Sequence, residues 1–495
     1  MWWKIVAGLL IALAVGFFAL IKSVGVTPGI IIHSLSGDGG DTPSLEIVQS
    51  RLQVPDGFSV GLYASKVVNA RVIMFTRSGD LLVAQPRESK VSILARDANV
   101  DGKADGQRVL LDNLYRPTSI DFFEDYLYIS ESNAVGRIKF DHESGETIGE
   151  YERIITGLGD EGNHWTKTIR FGPDGLLYLS SGSTCNVCDE IDDQRASITR
   201  YKPDGSGEAR FATGLRNSVG FDWAPFDNQI YATDNGRDLL GDDYPPCELN
   251  KVELGKFYGW PNVNGFGDLD PDFGDESKLI EATSPAHGFR PHNAPLGIRF
   301  IDLAAFPDEY RQSALAALHG SWNRSSYDGY KVVSLHRNSD GSFEEKDFLA
   351  GFEKDGNIIG RPADVTGGPD DCAYISDDYG MAIYRVCYGI EQEAIASIAS
   401  APAIQETGLE GFDQATLLKL QSYGEQLFRT RGCLACHVVT TGDAPFGLRP
   451  LKAINQRYTL DSLSAFYKTP TPPMPPAHLN EEDQLALSAY LLGIE

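Results

Sequence analysis

The stretch 173-PDGLLYLSSG-182 contains a tight turn followed by a short apolar strand that ends in small residues. The same pattern recurs in 78-SGDLLVAQ-85, 124-EDYLYISE-131, 227-DNQIYATDNG-236, 307-PDEYRQSALAALHG-320 and 369-PDDCAYISDD-378. Successive copies are mostly roughly fifty residues apart, with a longer gap where residues 257–275 form an insertion. Six repeats of this size predict an all-β, six-bladed β-propeller over residues 45–390; a solenoid is the alternative architecture.

Ligands of a propeller bind at one end of the central channel, where loops from different blades converge. The loops beside the repeat strands contain His164, Arg216 with Asn217, Gly236 with Arg237, and Arg361. The chain has 69 acidic and 43 basic residues and a net charge of −26, which argues against a nucleic-acid partner. Three arginines in corresponding loops therefore predict a cationic site for an anionic ligand.

A different motif follows the propeller, in 431-RGCLACHVVTTG-442. The frame C-x-x-C-H is the attachment signature of haem c, in which two thiols bond the porphyrin and the histidine binds the iron. This assigns Cys433 and Cys436 as thioether anchors and His437 as the proximal ligand. A disulfide is the alternative use of the two thiols.

The sixth ligand of the iron is expected in 470-PTPPMPPAH-478, where prolines fix the backbone around Met474. A methionine in that position raises the potential of an electron-transfer haem. His478 is the competing ligand. Helical patterns over residues 415–432 and from Asn480 to Gly493 complete a small all-α cytochrome c domain at residues 411–495, joined to the propeller by a linker at residues 391–410.

Covalent haem attachment takes place outside the cytoplasm, so an export signal is expected near the start of the chain. Residues 5–21 are uncharged and mostly apolar, and no clear cleavage site follows. We therefore expect residues 1–22 to form a membrane anchor, a transmembrane helix, rather than a cleaved signal peptide. The bulk of the chain is then periplasmic and anchored to the inner membrane.

The remaining cysteines suit an oxidising compartment. Cys185 with Cys188, and Cys372 with Cys387, are expected to form disulfides rather than zinc ligands or redox centres, which leaves Cys247 free.

A second candidate metal site is 97-DANVDGKAD-105. Its oxygen-bearing residues have the spacing of a calcium-binding EF-hand loop, although Arg108 stands in place of the closing glutamate. The predicted ligands are Asp97, Asn99, Asp101 and Asp105. A plain acidic turn is the alternative, and any calcium held there is structural.

Several stretches of the propeller resemble the soluble PQQ-dependent sugar dehydrogenases of the glucose/sorbosone dehydrogenase type. The similar stretches, in chain order, are NHWTKTIRFGPDG, GLRNSVGF, DNGRD with PPCELN, FYGWPNV, HGSWNR and GRPADV. The resemblance implies a six-bladed propeller that binds pyrroloquinoline quinone (PQQ) through its three carboxylates.

The resemblance also implies roles for particular residues. His164 corresponds to the general base, and backbone carbonyls of the segment around Gly236 and Arg237 correspond to ligands of a calcium ion that binds the quinone. The implied cofactor contacts are Arg216, Asn217, Arg237 and Arg361. Two departures concern the substrate: Ala363 replaces a second arginine, and Asn323 with Arg324 replaces a lysine.

These assignments predict a membrane-anchored quinohaemoprotein dehydrogenase. His164, as a neutral imidazole with a pKa near neutral, would take the hydroxyl proton of a sugar or polyol as hydride leaves the same carbon. Haem c would then pass electrons singly to an external acceptor such as a soluble cytochrome or the respiratory chain. The alternatives are a calcium-dependent, lactonase-like hydrolase and a non-catalytic propeller that docks a redox partner.

Overall fold

The structure is a computed structural model. It describes residues 40–389 and, in the C-terminal part, residues 409, 412, 414–435, 437–439, 449–451, 454, 458–468, 470, 474 and 479–493. Several predicted features lie outside these ranges: the anchor at residues 1–22, Cys436, His478 and nearly all of the linker at residues 391–410. No helix among the described residues is long and apolar enough to cross a membrane.

Six four-stranded antiparallel sheets form the blades of the propeller, as predicted. Blade 1 contains Val72–Phe75, Leu81–Gln85, Lys90–Ala95 and Gly106–Leu111; blade 2 contains Ser119–Phe123, Tyr126–Glu131, Ala134–Asp141 and Glu146–Thr156; blade 3 contains Lys167–Phe171, Leu177–Ser181, Ser197–Tyr201 and Ala209–Thr213.

The other three blades differ in two details. Blade 4 contains Phe221–Trp223, Ile230–Asp234, Cys247–Val252 and His287–Phe289; blade 5 contains Pro295–Phe300, Ala314–Leu318, Lys331–Arg337 and Phe343–Leu349; blade 6 contains Pro362–Gly367, Ala373–Asp377, Ala382–Tyr388 and the early strand Phe58–Ser65. The insertion lies within blade 4 and includes the hairpin Val263–Asn264 with Asp268–Leu269. A second hairpin, Glu353–Lys354 with Asn357–Ile358, precedes blade 6.

Short helices complete the propeller part. They are α1 (Leu45–Arg51), α2 (Glu276–Glu281) and the 3₁₀ turns Pro86–Glu88 and Asp308–Tyr310.

Each repeat found in the sequence supplies the second strand of one blade. Strands such as Leu81–Gln85, Leu177–Ser181 and Ala373–Asp377 are buried at every residue. Neighbouring blades cover both of their faces, so these strands need an almost continuous apolar run. The repeat pattern was visible in the sequence for this reason.

The first strand of each blade faces the central channel. A cavity there is lined by residues of these strands, among them Val72, Ser119, Arg170, Phe221 and Ile298. Three aspartates of alternate blades each accept a backbone N–H from the first strand of the next blade, and these pairs are Asp121 with Phe171, Asp222 with Phe300, and Asp364 with Ile73. The channel wall is therefore fixed by hydrogen bonds between blades as well as by packing.

The ring closes through blade 6, where Phe58–Ser65 pairs with Ala382–Tyr388 near the other end of the propeller sequence. The disulfide Cys372–Cys387 lies in the same blade. A closed ring excludes the solenoid.

The C-terminal domain is described by itself as a small helical unit. It contains α3 (Gln414–Thr430), the 3₁₀ turn Cys433–Ala435, the short parallel pair His437–Val438 with Arg449–Pro450, α4 (Leu460–Lys468) and α5 (Glu481–Leu492). Asn480 caps α5 by accepting the Asp483 N–H at 2.8 Å, as predicted. A Cβ at Gly424 would lie 2.0 Å from the Ala486 carbonyl oxygen, so this glycine allows α3 and α5 to pack closely.

Candidate active site at one end of the channel

The topology places the predicted site loops at one end of the propeller. The first strands of all blades begin at the same end of the channel, and the antiparallel second strands finish there. His164, Arg216, Asn217 and Arg361 precede first strands, whereas Gly236 follows a second strand. The loops that carry these five residues therefore converge at this end.

The hydrogen bonds of His164 determine its tautomer. Its Nδ1 lies 3.1 Å from the carbonyl oxygen of Ser183 and 2.8 Å from Ser183 Oγ. The Ser183 hydroxyl donates its own hydrogen to the Cys185 carbonyl at 2.7 Å, so both oxygens near Nδ1 act as acceptors. From this network we assign the proton to Nδ1, which leaves the lone pair on Nε2.

Burial lowers the pKa of His164 to about 3, and the positive charge of Arg216 acts in the same direction. The imidazole is therefore neutral at physiological pH, as a base requires. Its pKa is well below the near-neutral value expected from the sequence, because the side chain is desolvated and lies close to a guanidinium.

Arg195 holds the two loops that meet at His164. Its Nη2 donates to the carbonyl oxygens of His164 and Ser183, each at 3.0 Å, and its Nε donates to the Gly182 carbonyl at 2.5 Å. This role could not be predicted from the sequence, because these three acceptors belong to the backbone.

Gly182 brings His164 and Asn217 together. A Cβ on Gly182 would lie 2.6 Å from His164 Cβ and 2.5 Å from Asn217 Oδ1. Any larger side chain would displace one of these two residues from its present position.

The guanidinium of Arg216 is buried and makes five hydrogen bonds to protein oxygens. The acceptors are Asn186 O, Asn186 Oδ1, Asn235 O, Gly236 O and Asp238 Oδ2. The Arg216 carbonyl also accepts the Ser183 N–H at 2.7 Å. Arg216 thus connects the loop beside His164 with the loop that contains Gly236.

The fit of calcium can be tested at Gly236. Its carbonyl oxygen already accepts Arg216 Nη1 at 2.9 Å. A divalent cation on the same oxygen would lie beside a guanidinium charge, and Coulomb repulsion opposes that arrangement. The Gly236 carbonyl therefore does not fit a calcium ion as the residues stand.

Arg237 is directed to different partners from the other two predicted arginines. It forms ion pairs with Asp270 and Asp272 of the blade 4 insertion. Its charge is therefore balanced within the protein, and the sequence could not show this because the insertion folds back onto the loop.

Arg361 is anchored by backbone oxygens on the opposite side of the channel end. Its Nε donates to the His319 carbonyl at 3.0 Å and its Nη2 to the Gly320 carbonyl at 2.8 Å. The guanidinium also stacks over the Tyr330 ring, 5.4 Å from the ring centroid. Blade 5 and blade 6 are joined at this point.

His319 and Asp378 form a pair that sequence reasoning missed. His319 Nε2 lies 2.8 Å from Asp378 Oδ1, and Arg71 donates to the other oxygen at 2.6 Å. Burial and the charge of Arg361 lower the pKa of His319 to about 4. Burial alone would raise the pKa of Asp378, but His319 and Arg71 hold it well below its usual range. A neutral imidazole thus donates to an ionised carboxylate.

Some buried polar atoms at this end have no hydrogen-bond partner in the described part of the chain. They are His292 Nδ1, Asn293 Oδ1 and Asn323 Nδ2. Buried polar groups are normally satisfied, so these atoms fit a site that a polar ligand completes. Arg324, beside Asn323, instead donates to the carbonyl oxygens of Asp242 and Pro291, and Ala363 is buried.

The predicted calcium loop at residues 97–105 directs its carboxylates to backbone amides. Asp97 Oδ2 accepts the Gly102 N–H at 2.7 Å, and Asp105 Oδ2 accepts the Ala98 N–H at 3.1 Å. Asn99 Oδ1 and Asp97 Oδ1 both accept the Asp101 N–H. Clusters of three or more His, Cys, Asp or Glu side chains with possible ligand atoms within 4.8 Å of one another occur elsewhere among the described residues. The carboxylates of this loop do not form such a cluster. Calcium binding there stays a prediction.

The predicted haem residues lie in the helical domain. Cys433 begins the 3₁₀ turn and is half-buried, His437 begins the short strand, and Met474 is half-buried in a bend. Their roles as anchor and iron ligands stay predictions, as does that of Cys436.

Both predicted disulfides are present, between Cys185 and Cys188 and between Cys372 and Cys387. Cys247 is a free thiol, as predicted, and burial raises its pKa to about 11. The first disulfide closes the loop that carries Asn186 and thereby positions two oxygen acceptors of Arg216.

Comparison with known proteins agrees with this architecture. A family model described as TrAA12-like matches residues 52–251 and 268–373, and a cytochrome c model matches residues 421–495. An uncharacterised protein of Borreliella burgdorferi is 32% identical over 366 residues, which cover 70% of this chain and 93% of that protein.

Solved structures show the same propeller fold. The PQQ domain of pyranose dehydrogenase from Coprinopsis cinerea has a TM-score of 0.60 at 20% identity, over 68% of this chain and 97% of that one. A calcium structure of a Trichoderma reesei protein of carbohydrate-active enzyme family AA12 has a TM-score of 0.61 at 18% identity, over 70% and 100% of the two chains.

Proposed function

This chain belongs to the TrAA12-like family and carries a cytochrome c domain, and on that basis we propose that it is a quinohaemoprotein dehydrogenase. It uses PQQ to oxidise a sugar or a related alcohol or aldehyde. The observation that carries this proposal is the neutral imidazole of His164, with Nδ1 protonated towards Ser183 and the lone pair of Nε2 available as a base.

The residues at the channel end suit an anionic, polar cofactor. Arg216, Asn217 and Arg361 are the side chains that would hold PQQ, and the buried polar atoms of His292, Asn293 and Asn323 fit further hydrogen bonds to it. When bound, PQQ supplies a quinone that accepts a hydride and thus two electrons. Arg237 is left out of this set because its two ion pairs hold its guanidinium against the blade 4 insertion.

The protein itself moves the proton. His164 Nε2 accepts the hydroxyl proton of the substrate as hydride leaves the adjacent carbon. Ser183 stabilises the resulting imidazolium, because both of its oxygens accept from Nδ1. Arg195 holds the backbone of both residues, so the base keeps its orientation. The Gly236 carbonyl is bonded to Arg216, so no step is assigned to a calcium ion at that oxygen.

The cytochrome c domain provides a route for electron transfer from the cofactor to an external acceptor. We propose that Cys433, Cys436, His437 and Met474 would hold a haem c, which would supply one-electron transfer from the cofactor to an external acceptor such as a soluble cytochrome or the respiratory chain. Covalent linkage raises the effective concentration of the haem relative to the propeller. A periplasmic location with a membrane anchor at residues 5–21 belongs to the same proposal, and the two disulfides are consistent with it.

Reconstitution tests the proposal. Purified full-length protein is mixed with PQQ, with or without a calcium chelator, and the haem absorption band is followed while sugars, polyols and aldehydes are added. We expect substrate-dependent haem reduction that needs PQQ, and the chelator arm shows whether it also needs calcium. Tight PQQ binding without haem reduction by any substrate would leave the non-catalytic docking function. Hydrolysis of lactones without PQQ would instead favour the hydrolase.

A further inference from the structure

An exposed arginine contacts the residue that follows the proposed base in the chain. Arg116 is in the loop before the first strand of blade 2, at the same end of the channel as His164. Its guanidinium carbon is 5.1 Å from the ring centroid of Trp165 and 5.4 Å from that of Tyr115. Trp165 directly follows His164 in the chain, so these contacts hold a cationic group against the loop that carries the proposed base.

No carboxylate in the described part of the chain balances this charge. Among the described residues, Arg116 has no ion pair and donates no hydrogen bond. Glu131 is the acid that contacts its loop, where it accepts the backbone N–H of Tyr115 at 2.5 Å. However, both oxygens of this buried glutamate also bind Arg153, each at 2.7 Å. Glu131 is therefore already neutralised by a different arginine.

Arg116 differs in this respect from the other arginines at this end. Arg71 pairs with Asp378, Arg216 pairs with Asp238, and Arg361 is bonded to carbonyl oxygens. In a protein of net charge −26, acidic partners are abundant. An arginine that aromatic rings hold in place, and that no acid neutralises, is arranged for a ligand rather than for stability.

The ring contacts of Arg116 leave the N–H groups of its guanidinium available to a ligand. Aromatic rings contact the face of a guanidinium, whereas its N–H groups lie in the plane and form a fork that matches a carboxylate. Ser132 supports the same interpretation. Its N–H donates to the Tyr115 carbonyl at 3.2 Å, so it lies beside this loop. Its side chain is fully buried, and its hydroxyl has no partner in the described part of the chain. Ser132 thus offers an unsatisfied donor beside the same loop.

We propose that Arg116 binds a carboxylate group of a molecule bound at this end of the channel. The inference rests on the proposed function for the identity of that molecule. The carboxylate belongs either to PQQ or to an acidic sugar substrate such as a hexuronate, in which case the enzyme selects anionic over neutral sugars. The chemistry recognised is the same in both cases, and binding measurements distinguish the sources.

The test compares Arg116→Gln with the wild-type full-length protein. Equilibrium dialysis gives the dissociation constant of PQQ, and calorimetry with D-glucuronate and with D-glucose gives those of an acidic and a neutral sugar. Loss of one charged contact is expected to weaken binding by about 10- to 100-fold. Weaker PQQ binding assigns the carboxylate to the cofactor, whereas weaker glucuronate binding with unchanged glucose binding assigns it to the substrate.

Arg337→Gln is the matched control. Arg337 is also exposed and stacks on one aromatic ring, with its guanidinium carbon 4.7 Å from the Phe226 centroid, but it ends a third strand at the opposite end of the propeller. Its replacement should change none of the three constants. Arg116→Lys, which keeps the charge without the planar fork, should give an intermediate loss.

The proposal is overturned if Arg116→Gln leaves all three dissociation constants unchanged, or if the wild-type protein binds neither PQQ nor glucuronate. Binding is measured without turnover, so its outcome is separate from that of the haem-reduction assay. A protein that binds glucuronate through Arg116 but never reduces its haem would refute the dehydrogenase function and retain the carboxylate site.

Discussion

His164 Nδ1 contacts two oxygens of Ser183, the hydroxyl at 2.8 Å and the carbonyl at 3.1 Å, and both act as acceptors. One residue therefore decides which imidazole nitrogen carries the proton and which is left to act as a base. The proposed chemistry depends on this pair.

Replacement of His164 by alanine should abolish most turnover and leave PQQ bound, since the proposed cofactor contacts Arg216, Asn217 and Arg361 are unchanged. The loss of a positioned general base is expected to lower kcat by about 10²- to 10⁴-fold. Steady-state kinetics and equilibrium dialysis measure the two effects, and dithionite reduction of the haem verifies folding. Wild-type turnover in this variant would assign proton abstraction to another group.

Ser183→Ala should lower kcat by roughly 5-fold, because the imidazole keeps its carbonyl acceptor but loses the hydroxyl, a contact worth about 1 kcal/mol. Ser181→Ala is the matched control: Ser181 is buried at the end of the strand that precedes Ser183, and its hydroxyl has no partner among the described residues. Equal activity of the two variants would show that Ser183 does not orient the base.

Gly182→Ala should impair activity more than stability. The new methyl group would contact His164 and Asn217 and displace one of them. Gly106→Ala serves as a control because a Cβ there meets nothing within 4 Å. We expect a large loss of kcat/KM in the first variant and unchanged kinetics in the second; the prediction fails if both retain wild-type kcat/KM.

The pH dependence follows from the buried imidazole. The pKa of His164 is about 3 in the folded protein, against 6.5 ordinarily. Between these values the unfolded chain binds more protons, so the contribution of His164 to the free energy of unfolding rises with pH. The Tm of wild-type protein relative to His164→Gln should therefore fall on acidification below pH 6.5. A constant difference would mean that the histidine titrates normally.

Met474→Ala should lower the haem potential and slow electron exit, because a thioether ligand raises the potential of the iron. PQQ reduction by substrate should be unaffected. Spectroelectrochemical titration of the haem measures the change. An unchanged potential would identify His478 as the ligand instead.

The number of blades and the end of the channel that carries the site could be predicted from the sequence. The second strands are buried on both faces, so their apolar runs recur visibly, and His164 and Arg216 stand in the loops beside them. These features depend on local pattern alone.

The partners of the site residues could not be predicted in the same way. His319 and Asp378 are 59 residues apart and meet only when blades 5 and 6 pack together. Arg237 differs from the other two predicted arginines because acids of an insertion neutralise it. Arg195 acts entirely through backbone oxygens, which carry no sequence signal.

Closure of blade 6 has a consequence for biosynthesis. The strand Phe58–Ser65 is among the first parts of the propeller to leave the ribosome, yet its neighbour Ala382–Tyr388 is the last. The early strand must therefore wait, with neither edge paired, until nearly the whole propeller is available to fold. Blades 1 to 5 can form in chain order, but the ring closes only when the last strand before the cytochrome c domain has emerged.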